Sequence, residues 1–265
     1  PNGKNVGTPN TVNIADNNIT LNTTPNSNNT PWGNQFFLYK YGINCVWNPQ
    51  ANITISHNTI NLPVAQSIAG QSCFGVKLEE FSNANVNGPI TVNNTNHVTG
   101  GDIAYHLNNI TGATLDGNEA INNPNGLNYA GFWLDDSPNN WLQCNNVDGS
   151  NTQYSTRGYR LNISTGNILY TNKVANTFRG IEASGVCDMP GSIAANVVQN
   201  NFLGLVVRDN GRIGIQGFSL FGTDITFGNI FTGNFADLLS YYSFPPAADL
   251  YYYNTLTNPN LPASN

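Results

Sequence analysis

Short apolar segments recur along the whole chain and are separated by polar turns. They favour Ile, Val, Leu, Phe and Thr, and apolar and polar residues alternate within them, which is the pattern of half-buried β-strands. No segment keeps the spacing of an amphipathic helix over ten residues. The pattern therefore predicts an all-β chain made of many short strands.

Two motifs alternate among these segments. In the first, an apolar segment leads to an Asn and then, two positions later, to another apolar residue, as in ITISHNTI and ILYTNKV. The second is Gly-apolar-x-apolar, as in FGVKL, AGFWL, RGYRL, RGIEA and LGLVV. The recurring asparagines of the first motif are Asn17, Asn58, Asn96, Asn118, Asn145, Asn172, Asn196 and Asn229.

The central repeats are 22 to 27 residues long, which is the period of a solenoid. A propeller blade needs about 40 residues, and helical repeats need helices, so a coil of two or three short parallel strands fits better. Equivalent residues of stacked coils lie about 4.8 Å apart. An inward Asn can then bond to the Asn of the next coil, which satisfies polar atoms that are costly to bury, and it tolerates a left-handed turn. We expect such an inward ladder to include Asn118, Asn145, Asn172, Asn196 and Asn229.

The alternation of the two motifs resembles the right-handed parallel β-helix of the pectate-lyase-like superfamily. The segment GLVVRDNGRIGIQG, followed by GNIFTG, is similar to the last coils of β-helix regions in large secreted Bacteroidota surface proteins. The resemblance implies a single right-handed β-helix of about eight coils that belongs to a larger multidomain protein. It leaves function open, because this fold carries lyases, hydrolases, adhesins and structural stalks.

The ends of the chain differ from its middle in composition. Because solenoids block their open ends against edge-to-edge association, we expect the aromatic segment near the C-terminus to be a cap. The predicted divisions are an irregular leader (1–10), the β-helix (11–235), an aromatic cap (236–253) and a linker or tail (254–265).

Charge excludes some classes of partner. Only 9% of the residues are charged and the net charge is -6, whereas a nucleic-acid-binding protein shows a basic footprint. The 48 asparagines supply polarity without charge. No run of 18 apolar residues occurs, so we expect no membrane span.

The four cysteines, Cys45, Cys73, Cys144 and Cys187, form no C-x-x-C pair. An even number of cysteines in a chain with few lysines and much Asn, Thr and Ser fits a secreted or cell-surface protein with two disulfides. Cys45 and Cys73 are 28 residues apart, close to one coil, whereas Cys144 and Cys187 would require a loop that folds back. Four free buried thiols are the alternative.

The alternation within the Gly motifs turns one set of polar and aromatic side chains outward. This set combines an aromatic plate with charges of both signs, which suits a polysaccharide or surface glycan, with an exposed Trp133 stacking on a sugar ring. An ordinary outer face, with Arg160 and Glu182 paired across strands, is the alternative. The predicted ligand-binding residues are Lys77, His106, Trp133, Asp135, Arg160 and Glu182.

Catalysis is the second hypothesis for this face. Asp135 and Asp136 resemble one part of the polygalacturonase signature, but its histidine between glycines and its lysine are missing, and no calcium-binding carboxylate cluster is visible. Asp135 and Glu182 are expected two coils apart, about 9–10 Å, at the wide end of the range for an inverting carboxylate pair. The catalytic candidates are thus Asp135, Asp136 and Glu182, and an exposed turn after a strand is the alternative interpretation of Asp135 and Asp136.

The sequence favours an extracellular non-catalytic module, namely a stalk, an adhesin or a polysaccharide-binding domain. A glycoside hydrolase or polysaccharide lyase acting in the outward groove is the alternative. No cofactor and no metal site are expected.

Overall fold

The computed structural model describes residues 10–21, 38–47, 51–64, 71–80, 90–93, 95–122, 128–150, 155–189, 192–213, 218–220, 223–225 and 228–241. These residues form an all-β structure without helices. It contains three parallel sheets and one short antiparallel pair. The predicted all-β class and parallel strand pairing are confirmed, and the arrangement is consistent with a parallel β-helix.

The three sheets, named A, B and C, take successive strands of the chain in turn. Sheet A contains β1 (Asn10–Ala15), β4 (Ala51–Ser56), β7 (Ile90–Asn93), β10 (Ala113–Asp116), β13 (Trp141–Gln143), β16 (Ile168–Tyr170) and β19 (Ile193–Ala194). Sheet B contains β2 (Asn18–Thr20), β5 (Thr59–Val64), β8 (His97–Gly101), β11 (Glu119–Ile121), β14 (Asn146–Asp148), β17 (Lys173–Ala175), β20 (Val197–Gln199) and β24 (Ile230–Thr232). Sheet C contains β3 (Leu38–Trp47), β6 (Gln71–Glu80), β9 (Ile103–Asn108), β12 (Asn128–Asp135), β15 (Ser155–Asn162), β18 (Arg179–Val186), β21 (Leu203–Arg212) and β25 (Ala236–Tyr241). The antiparallel pair, β22 (Phe218–Leu220) and β23 (Thr223–Ile225), is inserted before β24.

Each strand pairs with its counterpart one repeat away, so equivalent side chains stack on one another inside the molecule. Tyr105, Phe132 and Tyr159 occupy one such position and are fully buried, with ring centroids 4.6 and 5.1 Å apart. The Tyr105 hydroxyl donates to the Asn96 carbonyl at 2.8 Å, and the Tyr159 hydroxyl donates to the Asn145 carbonyl at 3.2 Å. The core of sheet C is therefore tied to the corner between sheets A and B.

That corner is occupied by a continuous series of asparagine side chains, which we call the asparagine column. In each pair of successive members, Nδ2 of one donates to Oδ1 of the next at 2.9 to 3.1 Å. The second hydrogen of a buried Nδ2 goes to a backbone carbonyl, as from Asn145 to Leu115 and from Asn172 to Leu142. These buried bonds fit the predicted ladder. The column contains Asn17, Asn58, Asn96, Asn118, Asn145, Asn172, Asn196 and Asn229.

The left-handed residue at this corner is the one directly before each asparagine. None of the eight asparagines has a positive φ, so the expectation that they adopt the left-handed turn is wrong. A bend before the Asn leaves its side chain directed inward and its amide free to bond to the next coil. The left-handed residues have φ between 53° and 69° and are Asp16, His57, Thr95, Gly117, Cys144, Thr171, Ala195 and Gly228.

Sheets B and C approach closely at the glycine of the second motif. A Cβ on Gly131 would lie 2.6 Å from Cγ1 of Val147 and 2.8 Å from the Gly158 carbonyl oxygen. The equivalent position in β9 is Ala104, and the residue aligned with Val147 in β11 is Ala120. The coil that carries the Ala104 methyl group on sheet C thus has the smaller side chain, Ala120, on sheet B.

The predicted disulfides are wrong, because all four cysteines are free. Cys45 aligns with Leu78, whereas Cys73 aligns with Lys40, so the two cysteines are five positions out of register. This offset is about 16 Å along the strands, and a disulfide needs Cα atoms within about 7 Å.

Cys144 and Cys187, the second predicted disulfide pair, also lie in different places. Cys144 lies at the corner between β13 and β14, where Sγ is 3.2 Å from Oγ1 of Thr171. Cys187 is buried after β18 and its thiol donates to the Ser184 carbonyl at 3.4 Å. The two thiols therefore have different surroundings on different parts of the coil.

The chain ends lie mostly outside the described residues. Strand β25 occupies the start of the predicted cap and pairs with β21 in sheet C, and the rest of the cap (242–253) is not described. Of the predicted leader only Asn10 is described, and the predicted tail (254–265) is not. In the described part of the chain no helix is long and apolar enough to cross a membrane.

A first prediction concerns the asparagine column. Replacing Asn172 by Leu removes the acceptor of Asn145 Nδ2 and N–H and the donor to Leu142 and Asn196. Because each buried unpaired group costs about 1–3 kcal/mol, the free energy of unfolding should fall by at least about 3 kcal/mol in urea titrations. The matched control is Asn18→Leu at an exposed site, which should change the free energy of unfolding little. Equal losses in both variants would contradict a structural role for the column.

A second prediction concerns the contact between sheets B and C. Gly131→Ala should destabilise the fold by about 1–3 kcal/mol through overpacking against Val147. Val147→Ala in the same chain should recover part of this loss, giving a coupling energy near 1 kcal/mol in a double-mutant cycle. Val198→Ala, which faces Gly180 instead, is the control and should add independently. If the effects of Gly131→Ala and Val147→Ala on the free energy of unfolding are strictly additive, the two side chains do not compete for the same space.

Candidate functional site on the outer face of sheet C

Five of the six predicted ligand-binding residues form one row across sheet C, which we call the central row. Lys77, His106, Trp133, Arg160 and Glu182 are aligned pairwise on five neighbouring strands. Because strand residues alternate in direction, their sequence neighbours fill the core while these side chains lie on the outer face. The strict register of sheet C thus brings together residues that are far apart in the sequence.

The sixth residue, Asp135, belongs to a parallel row two positions further along each strand. Its Oδ1 accepts a hydrogen bond from Asn162 Nδ2 at 2.6 Å. In the same row Asn108 Nδ2 donates to Glu79 at 2.9 Å, and Lys77 of the central row bonds to Glu79 at 2.6 Å. The amides and carboxylates of this second row are therefore linked to one another across the strands.

Aromatic rings occupy the first half of the face. The centroids of Tyr41 and Phe74 are 5.3 Å apart, those of Phe74 and His106 are 5.4 Å apart, and those of His106 and Trp133 are 5.3 Å apart. The Arg160 guanidinium carbon lies 4.0 Å from the Trp133 ring centroid. Trp133 is therefore half-buried, and the expectation of an exposed aromatic plate is wrong because His106 and Arg160 flank the ring.

Several polar atoms of this row are buried without a hydrogen bond. Both ring nitrogens of His106 and Nε1 of Trp133 have no partner among the described residues. Burial, reinforced by the positive charge of Lys77, lowers the pKa of His106 to about 4, so its imidazole is neutral at neutral pH. These atoms are buried, unsatisfied hydrogen-bonding groups on central strands of sheet C.

Glu182 is fully buried beneath four arginines, which we call the arginine cluster: Arg157, Arg160, Arg179 and Arg208. Oε2 accepts from Arg157 Nε at 3.1 Å and from Arg179 Nη1 at 2.7 Å. Oε1 accepts from Arg208 Nε at 3.0 Å and Nη2 at 2.9 Å, and Arg160 Nε lies 3.7 Å away. Both carboxylate oxygens of Glu182 are thus occupied by guanidinium groups.

The charge of Glu182 follows from this environment. Burial by itself raises the pKa of the carboxyl, but attraction by Arg157, Arg179 and Arg208 outweighs burial and holds the pKa below its usual value. Glu182 is consequently ionised at neutral pH and has no proton to donate. It cannot act as the general acid of a glycosidase.

The catalytic candidates do not form an active pair in this arrangement. Asp135 and Glu182 lie two strands apart and in different rows, which puts them about 11–12 Å apart by strand spacing and residue rise. Asp136 has φ 44° and sits in the turn after β12, where it lines a shallow cavity of about 670 Å³ with Pro138, Ile163 and Thr165. No group of three or more His, Cys, Asp or Glu side chains in the described segments is placed to hold a metal ion.

Two members of the arginine cluster, Arg157 and Arg179, were not among the predicted site residues. Arg157 and Arg179 are aligned on neighbouring strands, and each directly precedes the glycine of its motif. The repeated Arg-Gly dipeptide at the same point of two successive repeats was the signal that could have identified them. Arg208 follows from the alternation in β21, since it is aligned with Ser184 on the second row.

A third prediction tests the ionised state of Glu182. Glu182→Gln should lower the free energy of unfolding by about 3 kcal/mol at pH 7, because the half-buried arginines lose the counter-charge of the buried Glu182. The pKa of Glu182 is depressed by folding, so this stabilisation is complete above the unfolded pKa and is lost as the pH falls through the lower folded pKa.

The difference between parent and variant should therefore be large in urea titrations at pH 7 and should shrink below about pH 4. Glu119→Gln is the matched control, since Glu119 is partly exposed and pairs with the half-buried His97. A difference between Glu182→Gln and parent that stays constant down to pH 3 would contradict the assigned ionisation.

Comparison of the chain with known protein families, with curated proteins and with solved structures finds no match. The function is consequently inferred from the chemistry of the outer face of sheet C.

Proposed function

We propose that the chain is an extracellular, non-catalytic module that binds a polysaccharide or surface glycan on the outer face of sheet C. The fold assigned to it is a right-handed parallel β-helix of about eight coils with an inward asparagine ladder. The observation that carries the proposal is the central row, in which aromatic rings, cationic groups and unpaired polar atoms share one face.

The chemistry of the central row matches that of a sugar. Sugars present apolar C–H faces and hydroxyl groups, which suit aromatic rings beside hydrogen-bond donors and acceptors. The indole N–H of Trp133 and the imidazole of His106 are buried without partners among the described residues, and a ligand hydroxyl would pair with them when the side chains that cover them move aside. Because leaving such groups unpaired is costly, a ligand that pairs them gains affinity.

The regular stacking of three sheets also suits a stalk or an adhesin within a larger secreted protein. Each coil contacts only its neighbours, so such a structure extends along one axis while it presents a long, flat face. The proposed secreted or cell-surface location rests on the low charge and the Asn-rich composition, because the free cysteines give it no support. The net charge of -6 speaks against nucleic acid as the partner.

A carbohydrate-active enzyme is the second candidate, either a glycoside hydrolase or a polysaccharide lyase. The observation that favours it is the position of Asp136 at the shallow cavity directly after Asp135. Against it stands Glu182, whose carboxylate is enclosed by arginines and is ionised. Binding without turnover is therefore the preferred proposal.

A fourth prediction distinguishes these functions and locates the site. On a glycan array the parent protein should bind at least one polysaccharide, and assays for reducing sugars and unsaturated uronates should detect no product. Trp133→Ala should weaken binding by about 1–3 kcal/mol, the scale of a lost aromatic contact. The control is Trp141→Ala, since Trp141 is 46% exposed on sheet A, away from the proposed face.

Three results would change this assignment. Product release would favour the enzyme. A loss of binding in Trp141→Ala, with Trp133→Ala unchanged, would move the site to sheet A. No binding to any glycan would leave the stalk as the role supported by the fold.

A further inference from the structure

We infer that the arginine cluster on sheet C binds the anionic group, a sulfate ester or a carboxylate, of an acidic polysaccharide. This inference rests on the proposed glycan-binding function and names the chemical class of the ligand. Four observations support it: the distribution of charge, the geometry of the guanidinium groups, their unpaired donors and the adjoining Trp133 ring.

Positive charge is concentrated at this place in an otherwise acidic protein. The chain has five arginines and a net charge of -6, and four of the arginines lie within 4.0 Å of the Glu182 carboxylate. Asp209 pairs with Arg208, so among the described residues two carboxylates, those of Glu182 and Asp209, form ion pairs with the four guanidinium groups. Asp135 also attracts Arg160, but more weakly than Glu182 does. A local positive field of this kind attracts anions although the whole molecule is negative.

A single carboxylate does not require four arginines. Burial lowers the pKa of Arg157 and of Arg160, and repulsion from neighbouring arginines lowers both further. Four like charges on three adjacent strands are held together at a cost that Glu182 offsets only in part. A second anion on the outer side of the cluster would relieve the remaining repulsion.

The geometry leaves part of each guanidinium group available to such an anion. The arginine side chains are 16% to 22% exposed, whereas Glu182 beneath them is fully buried. Glu182 therefore orients the guanidinium groups from below while their outer parts face solvent. Arginine binds carboxylate and sulfate oxygens in pairs, and groups that are already fixed lose little freedom on binding.

Unpaired donors lie in the same cluster. Nε of Arg160 and Nε of Arg179 are buried and have no hydrogen bond among the described residues. Arg160 also lies over the Trp133 ring, which joins the cluster to the aromatic half of the face. A sugar ring in contact with Trp133 would therefore place its acidic substituent beside Arg160.

A fifth prediction tests this site with three polymers of matched length: dextran sulfate, polyglucuronate and neutral dextran. In isothermal titration calorimetry the parent protein should bind at least one of the two anionic polymers, and the affinity should fall as salt is raised. Arg160→Gln should weaken that binding about tenfold, the effect of losing one charged hydrogen-bonding group. Preference for dextran sulfate would identify a sulfate ester as the ligand group, and preference for polyglucuronate a carboxylate.

Lys173→Gln is the matched control, since it removes the same charge from an exposed position on sheet B and should leave binding unchanged. Arg160 is the residue to replace because its Nε is 3.7 Å from Glu182 and makes no hydrogen bond to it. Circular dichroism checks that the variant is folded. If Arg160→Gln unfolds, Arg160→Lys is the second variant. It keeps the charge but lacks the planar guanidinium group that binds two oxygens at once, so its affinity for the polymer should still fall.

The inference is overturned if neither anionic polymer binds, or if the Arg160 and Lys173 variants bind as the parent does. Binding of neutral glycans alone on the array would refute the inference and leave the proposed function standing. Failure to bind any glycan would refute both.

Discussion

The hydrogen bonds of the asparagine column are the interaction on which the rest of the structure depends. A coil that turns sharply must bury the polar groups of its corners, and these groups are costly unless every donor and acceptor is paired. The column amides from Asn17 to Asn196 donate to the next coil, and the second hydrogen of a buried amide goes to a backbone carbonyl, as Asn145 and Asn172 show. The same bonds fix the register between coils, because an amide can bond to its neighbour only when equivalent corners coincide. The rows of side chains on the outer faces follow the same register.

The close approach of sheets B and C sets the second constraint. A side chain larger than hydrogen at Gly131 would meet both Val147 and a backbone carbonyl, so the interior narrows at this edge. Ala104 is aligned with Gly131 one repeat away, and Ala120 is aligned with Val147. Where sheet C has the larger residue, sheet B has the smaller one, so the side-chain volume between the two sheets stays similar. Packing of this kind keeps successive coils superimposable, and superimposable coils turn the outer face of sheet C into straight rows. The candidate site is a consequence of that regularity.

The arginine cluster shows how a flat sheet can bury a charge. Arg157 and Arg179 are aligned on neighbouring strands, and Glu182 lies among them with Arg160 directly beside it. Large guanidinium groups cover the carboxylate, exclude water and keep it ionised. The arrangement removes Glu182 from acid catalysis, and it also holds four cations at a fixed place on the surface. Both effects favour recognition of an anionic ligand over hydrolysis of a glycosidic bond.

The sequence by itself determined the all-β class, the repeating strands, the positions of the column asparagines and the members of the central row. The strands and the central row follow from local alternation, since a strand side chain points inward or outward according to its position, and the column asparagines follow from the recurring Asn motif. Only the tertiary structure decided how far neighbouring strands are shifted and which side chains cover one another. The offset of Cys45 from Cys73, the covering of Trp133 by Arg160 and the burial of Glu182 all depend on these relations across strands. Local alternation does not give these relations, because coverage arises from contacts between side chains on neighbouring strands, such as Arg160 over Trp133, and the loops between strands vary in length.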